Sequence, residues 1–136
     1  MPRRYLLDTN VLSELIRNPA TLTAKIAAVG EARICTSIVN ACELRFGAEK
    51  KGSDLLSGRV DRLLETIDVM ALDAGVDRAY AEIRSDLESR GRPIGGNDYL
   101  IAAHAIALGC VLVTRNQKEF GRVPGLVTEN WLPRHV

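Results

Sequence analysis

Asp8, Glu43 and Asp98 are acids in surroundings that do not otherwise call for one. Asp8 directly follows the apolar run Tyr5-Leu6-Leu7 and precedes Asn10-Val11-Leu12. Its carboxylate therefore falls at the C-terminal end of a short strand, or serves simply to initiate a helix. Glu43 is set among Val39, Ala41, Cys42, Leu44 and Phe46. It either projects from a nearly buried helix into a cleft, or faces water and pairs with Arg45 or Lys50. Asp98 is the lone acid in Asn97-Asp98-Tyr99-Leu100-Ile101-Ala102-Ala103-His104-Ala105, the most apolar helical stretch of the chain. It lies near the start of that stretch, where the helix dipole favours negative charge and phosphate. Capping is the alternative for Asp98, and Asn97 competes for that role. A further polar group, Thr114-Arg115-Asn116-Gln117-Lys118-Glu119, follows the apolar run Cys110-Val111-Leu112-Val113. It belongs to the same crevice or is a solvated loop.

If the acids converge, their chemistry is constrained. Two carboxylates ~4 Å apart repel by roughly 4 kcal/mol at an effective dielectric of about 20. Protons or a cation must offset that repulsion. An all-oxygen site without histidine suits a hard cation, Mg2+ with Mn2+ as a plausible substitute. Such an ion lowers the pKa of a bound water and offsets charge developing on a phosphate. Glu43 is placed to accept the proton of that water. If they converge, Asp8, Glu43 and Asp98 are the acids that would surround such an ion.

The elements that must position these acids follow from periodicity. Short apolar runs at residues 5–7, 33–36, 69–72 and 110–114 read as strands, and 126–128 as a last, edge-like one. Between them lie segments with helical spacing: 10–17, 22–29, a helix after the plausible N-cap Ser37, 56–67, 76–90, and one capped by Asn97 that runs to Leu108. The alternation predicts an α/β/α domain, a small mostly parallel sheet flanked by helices. In such sheets ligands bind at the carboxyl ends of the strands, the ends to which Asp8, Thr114 and Asn116 fall.

Bulk properties are consistent with one domain spanning residues 1–136. The chain is 46% apolar and 26% charged, an ordinary globular balance. A net charge of +1 announces no polyanion, so any nucleic-acid role rests on local charge. Cys35, Cys42 and Cys110 are odd in number and lie in apolar runs. Buried reduced thiols are expected, which fits a cytoplasmic protein. The three apolar residues before Asp8 are too few for a signal peptide, and no run approaches the ~18 residues of a membrane span.

Taken together, these stretches resemble the PIN-domain ribonucleases, and among them the VapC-type toxins of bacterial toxin–antitoxin pairs. The resemblance is carried by Leu6-Leu7-Asp8-Thr9-Asn10-Val11-Leu12; by Thr36-Ser37-Ile38-Val39-Asn40-Ala41-Cys42-Glu43-Leu44 with Phe46-Gly47-Ala48; by the run from Gly91 through Asp98 to Ala105; and by Leu112-Val113-Thr114-Arg115-Asn116 leading to Glu119-Phe120. It implies metal held at Asp8 and Asp98, with Glu43 completing the acidic site. It implies RNA hydrolysis, often of a structured RNA such as tRNA, that inhibits translation. It also implies a homodimer, or a higher hetero-oligomer, silenced by a VapB-type antitoxin whose C-terminal segment enters the active-site groove. Many members carry a fourth acid where this chain has Asn116. An amide adds no charge, and Glu119, one helical turn on, is a possible stand-in.

Other residues carry weaker readings. His104, six positions after Asp98, points about 120° away on an ideal helix and reads as a core or partner-facing residue rather than a ligand. His135 is expected to be disordered. Ser13 and Ser37 lack a His–Asp arrangement, and Gly95-Gly96 lacks the Lys-Ser/Thr of a P-loop. Arg92, Arg115 and Lys118 flank the expected mouth and are candidates for RNA contact, with a solvated face as the alternative. Two other functions compete. A phosphomonoesterase on a haloacid-dehalogenase-like scaffold also begins strand–Asp, but wants a second aspartate at position 10, where this chain has asparagine. A non-catalytic binding module would bind metal weakly or not at all.

Overall fold

The computed structural model describes residues 3–133; His135, and with it the expectation of disorder there, lies outside them. The elements are β1 (Tyr5–Leu7), α1 (Thr9–Arg17), α2 (Ala20–Val29), a 3-10 turn (Glu31–Arg33), β2 (Ile34–Ser37), α3 (Ile38–Lys51), α4 (Asp54–Thr66), β3 (Asp68–Met70), α5 (Val76–Ser89), α6 (Gly96–Leu108), β4 (Val111–Val113), α7 (Gln117–Phe120) and β5 (Thr128–Glu129). The strands form one sheet in the order β3-β2-β1-β4-β5, and every pairing is parallel.

The central strands β1 and β4 are short and apolar because helices cover both faces, while the edge strands β3 and β5 carry Asp68, Thr128 and Glu129. Successive residues of β1 point to opposite sides. Leu6 joins Leu112 and Cys35 in a core shared with Ile83, Leu87 and Ile101 of α5 and α6. Leu7 joins Val113 and Ile34 in a second core with Val11 and Leu12 of α1, Leu22 of α2, Leu44 of α3 and Val60 of α4. Each fully buried leucine here stabilises the fold by about 1.5–3 kcal/mol.

Because all strands run one way, their carboxyl ends share one edge. Asp8 directly follows β1, Ser37 ends β2 and Thr114 directly follows β4. Ser37 accepts a hydrogen bond from the Val39 amide at 3.1 Å and so caps α3, as its type predicts. Asn97 does not cap α6. That helix starts two residues earlier, at Gly96, with Gly95 as N-cap and no side-chain cap bond. Of the cysteines, Cys35 and Cys110 are buried but Cys42 is exposed, against expectation; it lies on the side of α3 away from buried Ala41 and Leu44. No described helix is long and apolar enough to cross a membrane.

Candidate active site

Asp8 is held from all sides. Its backbone amide donates to the Val113 carbonyl at 2.9 Å, which ties the end of β1 to β4. One carboxylate oxygen accepts from the Thr9 amide at 2.9 Å and from Asn40 Nδ2 at 2.9 Å. The other accepts from Thr114 Oγ1 at 2.7 Å and from Asn10 Nδ2 at 3.3 Å. The residue is only 5% exposed. Burial pushes its carboxyl above the usual range; the Thr114 and Thr9 bonds pull it back, the Glu43 charge pushes it up and the Asn40 bond lowers it. Asp8 does initiate α1, so both readings of its sequence context hold at once.

Glu43 is half-buried and pairs with neither Arg45 nor Lys50; Arg45 instead bonds Asp61 at 2.6 Å. Thr9 Oγ1 donates to Glu43 Oε1 at 2.6 Å, and Asn97 Nδ2 donates to Oε2 at 3.3 Å. Asn40 Nδ2 also reaches Thr9 Oγ1 at 3.0 Å. A polar chain therefore runs from Asp8 through Asn40 and Thr9 to Glu43 and on to the first turn of α6. Asn40 lies three residues before Glu43, on the same side of α3, and its amide oxygen Oδ1 is buried without a hydrogen-bond partner among the described residues.

Asp98 is the opposite of Asp8. It sits in the first turn of α6, half-buried, and its carboxylate accepts no side-chain bond from a described residue and caps no helix. Burial first, then the charges of Asp8, Glu43 and Glu119, push its carboxyl up to about 6. The N-cap acid of α1, Glu43 of α3 and the first-turn acids of α6 and α7 are thus brought into one electrostatic neighbourhood. Glu119 falls in α7, the short helix on which its stand-in role depends, and accepts from Asn116 Nδ2 at 3.0 Å. The Asn116 amide bonds Thr114 Oγ1 at 3.0 Å, which orients that hydroxyl towards Asp8. Asn116 itself makes no side-chain cap to α7.

Among the described residues no three His, Cys, Asp or Glu side chains close into a cation cage by themselves. The donor chemistry nonetheless fits a hard cation. Asp98 is an unpaired carboxylate under repulsion from three others, and the nearby donor atoms are oxygens. Magnesium takes one or two carboxylates and keeps several waters, so it does not need a closed cage.

The three basic candidates part company. Arg92 and Lys118 are exposed and line one pocket. Arg115 is half-buried: its amide donates to Asn10 Oδ1 at 3.1 Å, and its guanidinium Nε and Nη2 are buried without partners among the described residues. Its charge reaches Glu14, whose carboxyl is held low first by the Arg17 hydrogen bond, with the Arg17 and Arg115 charges as smaller contributions. His104 is buried in α6, and its Nδ1 lies 2.7 Å from Ser37 Oγ. Burial holds its pKa below the usual range, with a backbone bond to Ala71 opposing. It braces α6 against the start of α3, a core role in keeping with its helical angle. Thr9 and Asn40 were missed by sequence reasoning; the signal for Asn40 was its spacing from Glu43 on an otherwise apolar face. Asn10, bonded to Asp8, is an amide at the position where a haloacid-dehalogenase-like site needs its acid.

A five-stranded parallel α/β/α domain with acids gathered at the strand ends matches the PIN domain, whose family model covers residues 5–126. The chain is 36% identical over 133 residues to the tRNA(fMet)-specific endonuclease VapC of Shigella flexneri, covering 94% of this chain and 98% of that protein. It is 36% identical over 130 residues to ribonuclease VapC2 of Rickettsia felis, covering 93% and 97% respectively. A crystal structure of VapBC2 from Rickettsia felis bound to a DNA fragment from their promoter superposes with a TM-score of 0.83 at 35% identity, over 93% of this chain and 98% of that one. The chain belongs to the PIN-domain family, in its VapC branch.

Proposed function

We propose that the chain is the toxin of a VapBC-type pair, a magnesium-dependent cytoplasmic endoribonuclease that cleaves a structured RNA such as tRNA and so inhibits translation. The observation that carries this reading is Asp98, a carboxylate pushed up to about 6 with no side-chain donor of its own, beside the fully clamped Asp8. Asp8 and Asp98 would hold the ion, with Glu43 at its margin. Bound there, magnesium or manganese supplies the positive charge that activates water and offsets charge on the scissile phosphate. The residues of the chain do the positioning. Thr114, Asn40 and the Thr9 amide keep Asp8 in one orientation. Glu43, steered by Thr9 and Asn97, has a carboxylate free to accept a proton from attacking water. The first turn of α6 lends its dipole to the approaching phosphate.

A groove beside Glu43 supports a seat for the antitoxin. A cavity of about 260 Å3 between α1, α3 and α4 opens at Thr9 and Glu43 and is lined by Ile16, Leu44, Ala48, Leu56 and Val60. Its apolar walls suit the C-terminal segment of a VapB-type partner, and the solved relative is itself a VapBC complex. Exposed Ile38, Phe46 and Leu72 offer further surface for that partner and for a second copy in a homodimer.

The test is cleavage of total tRNA by antitoxin-free protein. Cleavage with magnesium or manganese, lost in EDTA and abolished by Asp8→Ala and by Asp98→Ala in protein that remains folded, is expected. Cleavage that survives either substitution, or persists in EDTA, refutes the reading.

A further inference from the structure

The sequence is close to neutral overall, yet the fold gathers basic side chains at one place that the carboxylate chemistry does not use. Arg90, Arg92, Lys118 and Arg122, with Gly121, line a pocket of about 360 Å3. We propose that this pocket is a backbone subsite of the nuclease, which grips a phosphate of the RNA strand flanking the cleaved bond. The proposal deepens the nuclease reading and rests on it for the identity of the polyanion.

Location comes first. Arg92 stands in the loop that leads from α5 into α6, six residues before Asp98, and Lys118 is the neighbour of Glu119 on α7. The pocket is therefore walled by the same two segments that bring Asp98 and Glu119 into electrostatic contact. On the proposal, an RNA strand that lies across the acids would continue on to it.

The pocket is also built in advance. Gly91, at φ +67°, ends α5 in the left-handed conformation a glycine adopts readily. The Gly91 amide donates to the Glu88 carbonyl at 3.1 Å and the Arg92 amide to the Leu87 carbonyl at 2.8 Å. This doubly bonded helix end fixes where Arg92 leaves the chain. Arg122 Nη1 donates to the Pro93 carbonyl at 3.1 Å, and Arg90 Nη2 to the Arg122 carbonyl at 3.1 Å. The arginines thus tie the loop before α6 to the turn after α7.

Charge balance supplies the ligand. Among the described residues Arg90 alone of the four cations is in an ion pair, with Asp86 at 2.7 Å. Arg122 Nε is buried with no hydrogen-bond partner among the described residues. Unpaired guanidinium groups suit phosphate oxygens. The lining is predominantly polar, so a peptide would find nothing for its apolar side chains, whereas a sugar–phosphate backbone needs none.

The experiment measures binding of a fluorescein-labelled single-stranded RNA by anisotropy in EDTA, and cleavage of tRNA with magnesium, both from 50 to 200 mM salt. It compares wild type, Arg92→Ala/Lys118→Ala, and a charge-matched control, Arg59→Ala/Arg78→Ala, whose exposed cations lie on α4 and α5. Counterion release contributes about 0.7 to the salt slope per phosphate on a single strand. The Arg92/Lys118 variant should bind RNA about five- to tenfold more weakly at 150 mM salt. Its log–log salt slope should fall by roughly 1.4. The loss should appear in KM rather than kcat, and the control should match wild type. Wild-type affinity and slope in the Arg92/Lys118 variant overturn the subsite even if RNA is cleaved. Absence of cleavage by wild type, with the slope change intact, overturns the nuclease reading and leaves the anion site standing. Tighter binding of a labelled polyglutamate peptide than of RNA, lost in the same variant, makes the pocket a peptide site and also overturns the proposal.

Discussion

The two halves of the acidic site are held in opposite ways. Asp8, at the end of a central strand, is buried and receives donors from α1, α3 and the residue after β4. Asp98, in the first turn of α6, is half-buried and held by nothing but its helix. Strand ends in a parallel sheet are rigid and surrounded, so a carboxylate there can be aimed by hydrogen bonds, which also oppose the burial that raises its pKa. A helix start is open on one side, so a carboxylate there is left with desolvation first and repulsion second, which a proton or a cation relieves. One acid is fixed by its donors and the other is left without any.

Substitution should expose this contrast most sharply. Asp8→Ala is expected to remove RNA cleavage, by on the order of a thousandfold or more. It should also destabilise the fold by about 1–3 kcal/mol in urea unfolding, because Asn40 and Thr114 lose a buried acceptor and α1 loses its cap. Asp98→Asn should remove cleavage equally yet stabilise the cation-free protein. The Asp98 carboxyl is protonated up to about pH 6 in the fold against a usual value of 3.8. The folded state therefore binds more protons than the unfolded one between pH 4 and 6. The favourable contribution of this group is full below pH 4 and is lost as pH rises through 6. With allowance for solvent screening at a half-exposed group, Asp98→Asn should raise Tm at pH 7 in EDTA by roughly 3 °C, for about 1 kcal/mol. An equal fall in stability for both variants would erase the distinction between the two acids.

Asn40→Leu probes how much the clamp contributes. It deletes the donor to Asp8 and Thr9 while keeping side-chain volume, and should reduce kcat by about 10- to 100-fold, the range set by losing the orienting partner of a metal ligand. An unchanged kcat would mean that Thr114 and the Thr9 amide suffice. The smallest effect is expected from Glu119→Gln, less than about threefold in kcat. Because the Glu119 charge helps to raise the Asp98 pKa, the variant should shift the acid limb of the pH–rate profile slightly downward. A large loss would make Glu119 a working fourth acid.

The same contrast explains what the sequence disclosed. Asp8 was legible because Leu6-Leu7 announces a strand and a strand end announces a crevice. Ser37 was legible as a cap because the rule is local. The partners that define each acid were not, since Asn40 and Thr114 reach Asp8 across 32 and 106 residues of chain. Local rules also misplaced the start of α6, where Asn97 is the better capping type but its side chain is engaged by Glu43. Arg115 belonged by sequence with Arg92 and Lys118, yet tertiary packing turns it inward to Asn10 and Glu14, while Arg90 and Arg122 join the pocket from segments that carried no signal of their own.

The central claim is that Asp8 and Asp98 share one divalent cation. It is tested most directly by titrating Mn2+ into the antitoxin-free protein and following free Mn2+ by electron paramagnetic resonance. Wild type should bind, while Asp98→Asn should bind at least tenfold more weakly and lose the cation-induced rise in Tm. Equal Mn2+ affinity in wild type and Asp98→Asn would contradict the account.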